Sequence, residues 1–127
     1  MYKDLHGQIL QPYYLYLQKT MSKSEATKIV KKFAELLRKN RIAFEQIYLF
    51  GSYATGTAKK NSDIDIAVIK KKRSKNPLKD EMTLWKLAPK IDSRIEPILL
   101  DRQDLKKDET SIMGNEILKH GILVATA

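Results

Sequence analysis

The segment Ser62-Asp63-Ile64-Asp65-Ile66-Ala67-Val68-Ile69 constrains the fold more than any other. Its apolar run follows the polar stretch Lys59-Lys60-Asn61-Ser62 and reads as a buried strand. A carboxylate inside such a run stands where a core strand normally avoids charge. A second short run, Ile47 to Phe50, ends at Gly51 and reads as another buried strand stopped by a turn.

Residues 22–40 supply the clearest helix. Ser22 and Glu25 form a possible capping box, and Ala26, Ile29, Val30, Phe33, Leu36 and Leu37 fall on one stripe. Its lysines occupy the other face, as a solvated surface would. Lys70 to Lys79 reads as a mobile basic loop. Residues 80–91 read as a second helix, with Asp80 as its candidate cap, Met82, Leu84, Trp85, Leu87 and Ala88 available for packing, and Pro89 disturbing its last turn. Ile95 to Leu100 reads as a third strand, and Pro97 assigns it to a sheet edge or a bulge because proline donates no ladder hydrogen bond. A last helical region, capped by Asp101 or a neighbour, runs through Lys119 to Gly121, and Ile122 to Val124 form a terminal strand. The alternation predicts an α/β (α+β) class with a small mixed sheet flanked by helices.

At 127 residues the chain fits one domain, 1–127, in which residues 1–21 form an aromatic-rich N-terminal extension holding Tyr2, Tyr13, Tyr14 and Tyr16. That cluster is expected to pack on the domain's own core. With 43% hydrophobic residues the chain has material for a core. The absence of cysteine excludes disulfides, thiolate zinc sites and a cysteine nucleophile, and His6 and His120 are too far apart for a helical zinc pair. No apolar run is long enough to span a membrane, and Met1 to Leu10 lacks the apolar core of a signal peptide, so the expectation is a soluble, cytoplasmic protein. The net charge of +9 favours an anionic partner. Direct nucleic-acid binding is not expected, because no reader motif is visible and the lysines are spread over at least two regions.

Chemistry concentrates between residues 51 and 65. Asp63 and Asp65, at i and i+2 on an extended segment, emerge on one face about 6–7 Å apart. Such a pair can share Mg²⁺ with substrate phosphates, or it can be the solvated end of a strand. Upstream, Gly51 lets a phosphate approach the backbone, Ser52 adds a hydroxyl, and a strand-to-helix turn aims amides at an anion; the same Gly-Ser is also an ordinary turn.

The stretch Gly51-Ser52-Tyr53-Ala54-Thr55-Gly56, followed by Ser62-Asp63-Ile64-Asp65 and its apolar run, resembles the signature of the DNA polymerase beta nucleotidyltransferase superfamily, in its minimal, MntA-like branch. The resemblance covers residues 25–125. It implies a polymerase-beta-like nucleotidyltransferase fold and a third carboxylate on a neighbouring strand. Glu96 fits best, since it interrupts an apolar strand whereas Asp92 precedes it and Asp101 follows it. It further implies catalysis and metal binding by Asp63, Asp65 and Glu96, nucleotide binding by Gly51 and Ser52, and two Mg²⁺ ions as cofactor. The implied reaction is transfer of AMP from ATP to a hydroxyl, a tyrosine of a HEPN-type toxin for which this chain is the antitoxin. A non-catalytic binding antitoxin and a small-molecule adenylyltransferase are the alternatives. Family members commonly carry arginine where this chain has Thr55.

Overall fold

A computed structural model of the chain describes residues 6–7, 20–106 and 111–127. Its strands are β1 (Gln46–Phe50), β2 (Ile64–Lys70), β3 (Ile95–Asp101) and β4 (Ile122–Thr126). They form one sheet in the order β3-β2-β1-β4. β1 pairs antiparallel with both β2 and β4, while β3 lies parallel to β2, so the sheet is mixed as expected. The helices are α1 (Lys23–Lys39), α2 (Ser52–Thr55), α3 (Pro77–Leu87) and α4 (Ile112–His120).

Side-chain alternation divides the core into two layers. Ile47 and Leu49 of β1, Ile64, Ile66 and Val68 of β2, and Ile95 of β3 face one way. There they meet Ala26, Val30, Phe33 and Leu37 of α1 and Leu84 and Leu87 of α3. The opposite face carries a smaller cluster of Phe50, Ala67, Ile69 and Ile117, the last from α4. β2 is therefore covered on both sides, which is why its sequence is nearly all apolar rather than alternating.

The local signals fall close to expectation in α1. Ser22 Oγ accepts from Glu25 N–H at 3.1 Å, and the stripe around Val30 and Phe33 is buried. β3 is an edge strand, the place Pro97 demands. Three details differ. α3 starts at Pro77, capped by Asn76 Oδ1, which accepts from Lys79 N–H at 3.3 Å; proline is well suited to the first helical position, where its missing N–H costs nothing. Asp80 instead takes Lys70 Nζ at 3.1 Å and the Ser74 hydroxyl, so the basic loop is tied down and shorter than Lys70 to Lys79. Met82 and Trp85 are exposed, and Leu84, Leu87 and Ala88 do the packing.

The last helical region divides. Asp101 caps a short 3₁₀ turn over Arg102–Leu105 through a reciprocal box with Asp104, and α4 has its own cap in Ser111, whose hydroxyl accepts from Gly114 N–H at 3.0 Å. The four tyrosines of the N-terminal extension lie outside the described residues. Among the described residues no helix is long and apolar enough to cross a membrane.

Candidate active site

The site lies on the sheet face that carries the smaller cluster. Phe50 of β1, Asp65 of β2 and Glu96 of β3 are register partners across three adjacent strands, so Asp65 and Glu96 point the same way from neighbouring strands about 4.8 Å apart. Asp63, two residues upstream of Asp65, is exposed, and both Asp65 and Glu96 are half-buried.

The carboxylates sense one another. Glu96 has its pKa raised, first by burial, then by the charges of Asp63 and Asp65 and by a hydrogen bond with Asp63. Asp65 is raised by burial and by the charge of Asp63. Among the described residues no three metal-ligating side chains converge closely enough to enclose an ion by themselves. The donor chemistry nevertheless suits a hard divalent cation, since these are carboxylate oxygens whose mutual repulsion a cation relieves, and Mg²⁺ takes only one or two of them when phosphates and water complete its shell.

The two other acids considered for the third position are engaged elsewhere. Asp92 is held by Arg94 through three hydrogen bonds, guanidinium Nε to Oδ1 at 3.0 Å, a terminal guanidinium nitrogen to Oδ2 at 2.8 Å and the backbone N–H to Oδ1 at 2.9 Å, and these pull its pKa down. Asp101, buried, accepts from Gln103 N–H at 2.8 Å and from Arg73 Nε at 3.3 Å. Glu96 alone of the three faces Asp63 and Asp65.

Against these acids stands the Gly51 turn. Gly51 has φ 71° and ψ −151°, a conformation almost confined to glycine. A Cβ built there would overlap Asp65 Oδ2 and stand 3.2 Å from Asp65 Cγ. The backbone of residue 51 is thus pressed directly onto a carboxylate. In α2, Ala54 and Thr55 N–H both donate to Gly51 C=O at 3.1 Å, which leaves the Ser52 and Tyr53 N–H without partners inside the turn. The Ser52 hydroxyl makes no hydrogen bond to any described residue and is partly exposed, whereas Tyr53 anchors the turn in the core at 2% exposure. Thr55 Oγ1 lies 2.9 Å from Thr57 Oγ1 and can donate to Gly51 C=O at 3.3 Å, so its hydroxyl is turned onto its own loop.

Sequence reasoning finds the acids and the turn; it does not reveal that Gly51 and Asp65 touch. The signal lies in the strand lengths. Antiparallel pairing of Phe50 with Asp65 sets the residue after Phe50 beside that aspartate.

Residues 31–127 match the family described as Polymerase beta, Nucleotidyltransferase. The chain belongs to that family. Over 90 residues this nucleotidyltransferase-family chain is 38% identical to Protein adenylyltransferase MntA of Shewanella oneidensis. That match covers 71% of the chain but 60% of MntA, so it spans less than two thirds of that relative's length. The fold is similar to a crystal structure of a toxin-antitoxin with AMP-PNP, at 30% identity and a TM-score of 0.56 over 80% of this chain and 73% of that one. It is also similar to a crystal structure of a toxin-antitoxin MntA-HpeT mutant in which two aspartates, two positions apart, are replaced by glutamate. The identity there is 29% and the TM-score 0.55, over 76% of this chain and 73% of that one.

Proposed function

We propose that this chain, acting as one domain over residues 1–127 in the cytoplasm, is a Mg²⁺-dependent nucleotidyltransferase that moves AMP from ATP to a tyrosine hydroxyl of a HEPN-type toxin. The observation that carries the reading is the contact of Gly51 with Asp65, with Glu96 in register beside it: a phosphate cradle and a carboxylate cluster share one wall.

In this reading the Ser52 hydroxyl and the N–H groups of Ser52 and Tyr53 hold phosphate oxygens. Asp63, Asp65 and Glu96 would hold two Mg²⁺ ions, which would supply charge neutralisation at the phosphates. The acceptor oxygen forms a bond to the α-phosphorus as the bond from that phosphorus to the bridging oxygen breaks. Pyrophosphate leaves, and the acceptor's proton passes to Glu96. Glu96, in register with Asp65 on the neighbouring strand, is the carboxylate placed to take that proton.

A protein acceptor fits the surface. Leu78, Met82 and Trp85 of α3, at i, i+4 and i+7, are 72%, 54% and 47% exposed and form an apolar stripe of the kind a helical partner covers. The relatives support both halves of the reading, one by being an adenylyltransferase, the others by being toxin-antitoxin structures, one with a nucleotide analogue and one altered at an aspartate pair spaced like Asp63 and Asp65.

One observation favours a second reading. With Thr55 folded back on its loop, the cradle lacks the arginine that the family resemblance implies there, which suits a binding-only antitoxin. Glu96→Gln separates the two, because it is nearly isosteric and removes the base. Co-expressed with a HEPN partner, the parent chain should add one or more AMP masses to that partner and protect the host, and the variant should do neither. Protection by the variant without a mass change would establish the binding-only role.

A further inference from the structure

At the far end of β2 from the carboxylates, the chain gathers its basic residues into a second site. Asp65 and Lys70 are five strand residues apart, about 17 Å. Beyond Lys70 opens a groove of about 780 Å³, with Phe44 and Ala43 in its wall and the loop after β2 and the first turn of α3 around it. A smaller groove adjoins it on the other side of Arg73 and reaches Lys106. The acids here are already matched. Asp80 takes Lys70 at 3.1 Å, Glu45 takes Arg102, and Asp101 takes Arg73 at 3.3 Å. Lys71, Lys72, Lys75 and Lys79 remain, all exposed, and among the described residues none of them makes an ion pair. Lys71 and Lys79 add their charge to the fields that hold Glu45 and Asp80 ionised, whereas Lys72 and Lys75 have no acidic partner among the described residues.

We infer that this groove binds the phosphodiester backbone of a nucleic acid strand, without reading its sequence. Two features choose that ligand class. The patch is dominated by lysine, which protein interfaces avoid and phosphate backbones attract. It also continues from one groove into the next around the loop, farther than a single phosphate group needs. No base is read, because the aromatic ring in the wall, Phe44, is only 8% exposed and offers no stacking surface. The lysines of the β2–α3 loop, already clustered in sequence, are joined at this end of the sheet by Arg102 and Lys106, while those of α1 lie elsewhere.

The test is fluorescence anisotropy of the full chain with labelled oligouridine, a labelled DNA duplex and labelled polyglutamate across a range of salt. Oligouridine should bind with log K falling against log salt at a slope near −3, as about four contacted phosphates on a single strand require. The duplex should bind as well, with a steeper slope for the same contacts, and failure of both oligonucleotides to bind would overturn the proposal. Changing Lys72, Lys75 and Lys79 together to Gln should flatten the oligouridine slope by about 2. The same change at Lys28, Lys31 and Lys32 of α1, equal in charge and equally exposed, should alter it by less than about 0.7. Excess ATP with Mg²⁺ should not displace the oligonucleotide, since the carboxylates lie at the other end of β2. Equal loss in the two triple variants would reduce the effect to net charge and overturn the site, as would polyglutamate binding as tightly as oligouridine. Neither result bears on nucleotide transfer, so the two proposals fail separately.

Discussion

Gly51 is the residue on which the geometry turns, and its substitutions rank by mechanism. Gly51→Val forces a β-branched side chain into φ 71°, a backbone strain of about 1–3 kcal/mol, and drives its Cβ into Asp65 Oδ2. It should abolish ATP binding and lower thermal stability together. Ser52→Ala removes a single hydrogen bond to a charged phosphate, about 1.5–3 kcal/mol, so calorimetry should show ATP binding weakened by roughly 10- to 150-fold with the melting temperature unchanged. The reverse order would make Gly51 an ordinary turn glycine. The acids make a separate prediction about pH. Because Asp65 and Glu96 titrate above their ordinary 3.8 and 4.5, the folded chain holds more protons than the unfolded one as pH rises past those values, and stability falls through that window. Metal-free Glu96→Gln should therefore melt above the parent at pH 7, with the difference closing toward pH 4, and Mg²⁺ should raise the melting point of the parent more than that of the variant. A variant that melts lower at pH 7 would mean that Glu96 is stabilised by its surroundings rather than strained by them.

At the scale of elements, what is legible in the sequence is whatever a short window carries. The stripe of α1, the apolar run of β2 and the acid inside it, and the edge position announced by Pro97 all appear in the fold, because each follows from local periodicity or from a missing donor. What is not legible depends on partners distant in sequence. Asp80 resembles a helix cap until Lys70 and Ser74 are found to engage it, and the true cap, Asn76, precedes a proline that sequence alone assigns to the loop. Asn76→Ala should cost about 1 kcal/mol, a fall in melting temperature of about 3–6 °C by scanning calorimetry. Asp80→Asn should leave the cap intact and loosen the loop instead. Likewise Asp92, Glu96 and Asp101 are separated in sequence only by their positions relative to a strand, whereas the fold separates them by giving two of them cationic partners.

Taken whole, the molecule assembles its acids from two routes of unequal length. Gly51, Asp63 and Asp65 belong to β1, β2 and the loop between them, joined antiparallel. Glu96 arrives on a parallel strand that can pair only after the chain has crossed back through α3, and closing that longer loop carries the larger entropic cost. The carboxylate cluster is therefore complete only when β3 docks, and a divalent ion gains its third carboxylate at that step. Mg²⁺ should slow unfolding in stopped-flow experiments and leave the refolding rate as it was; acceleration of refolding would show that β3 is already in place at the barrier. Competence for chemistry is then an all-or-none property of the last docking event. A chain caught with β3 undocked would still hold Gly51 against Asp65, but under the proposed function it would lack the carboxylate assigned to take the acceptor's proton.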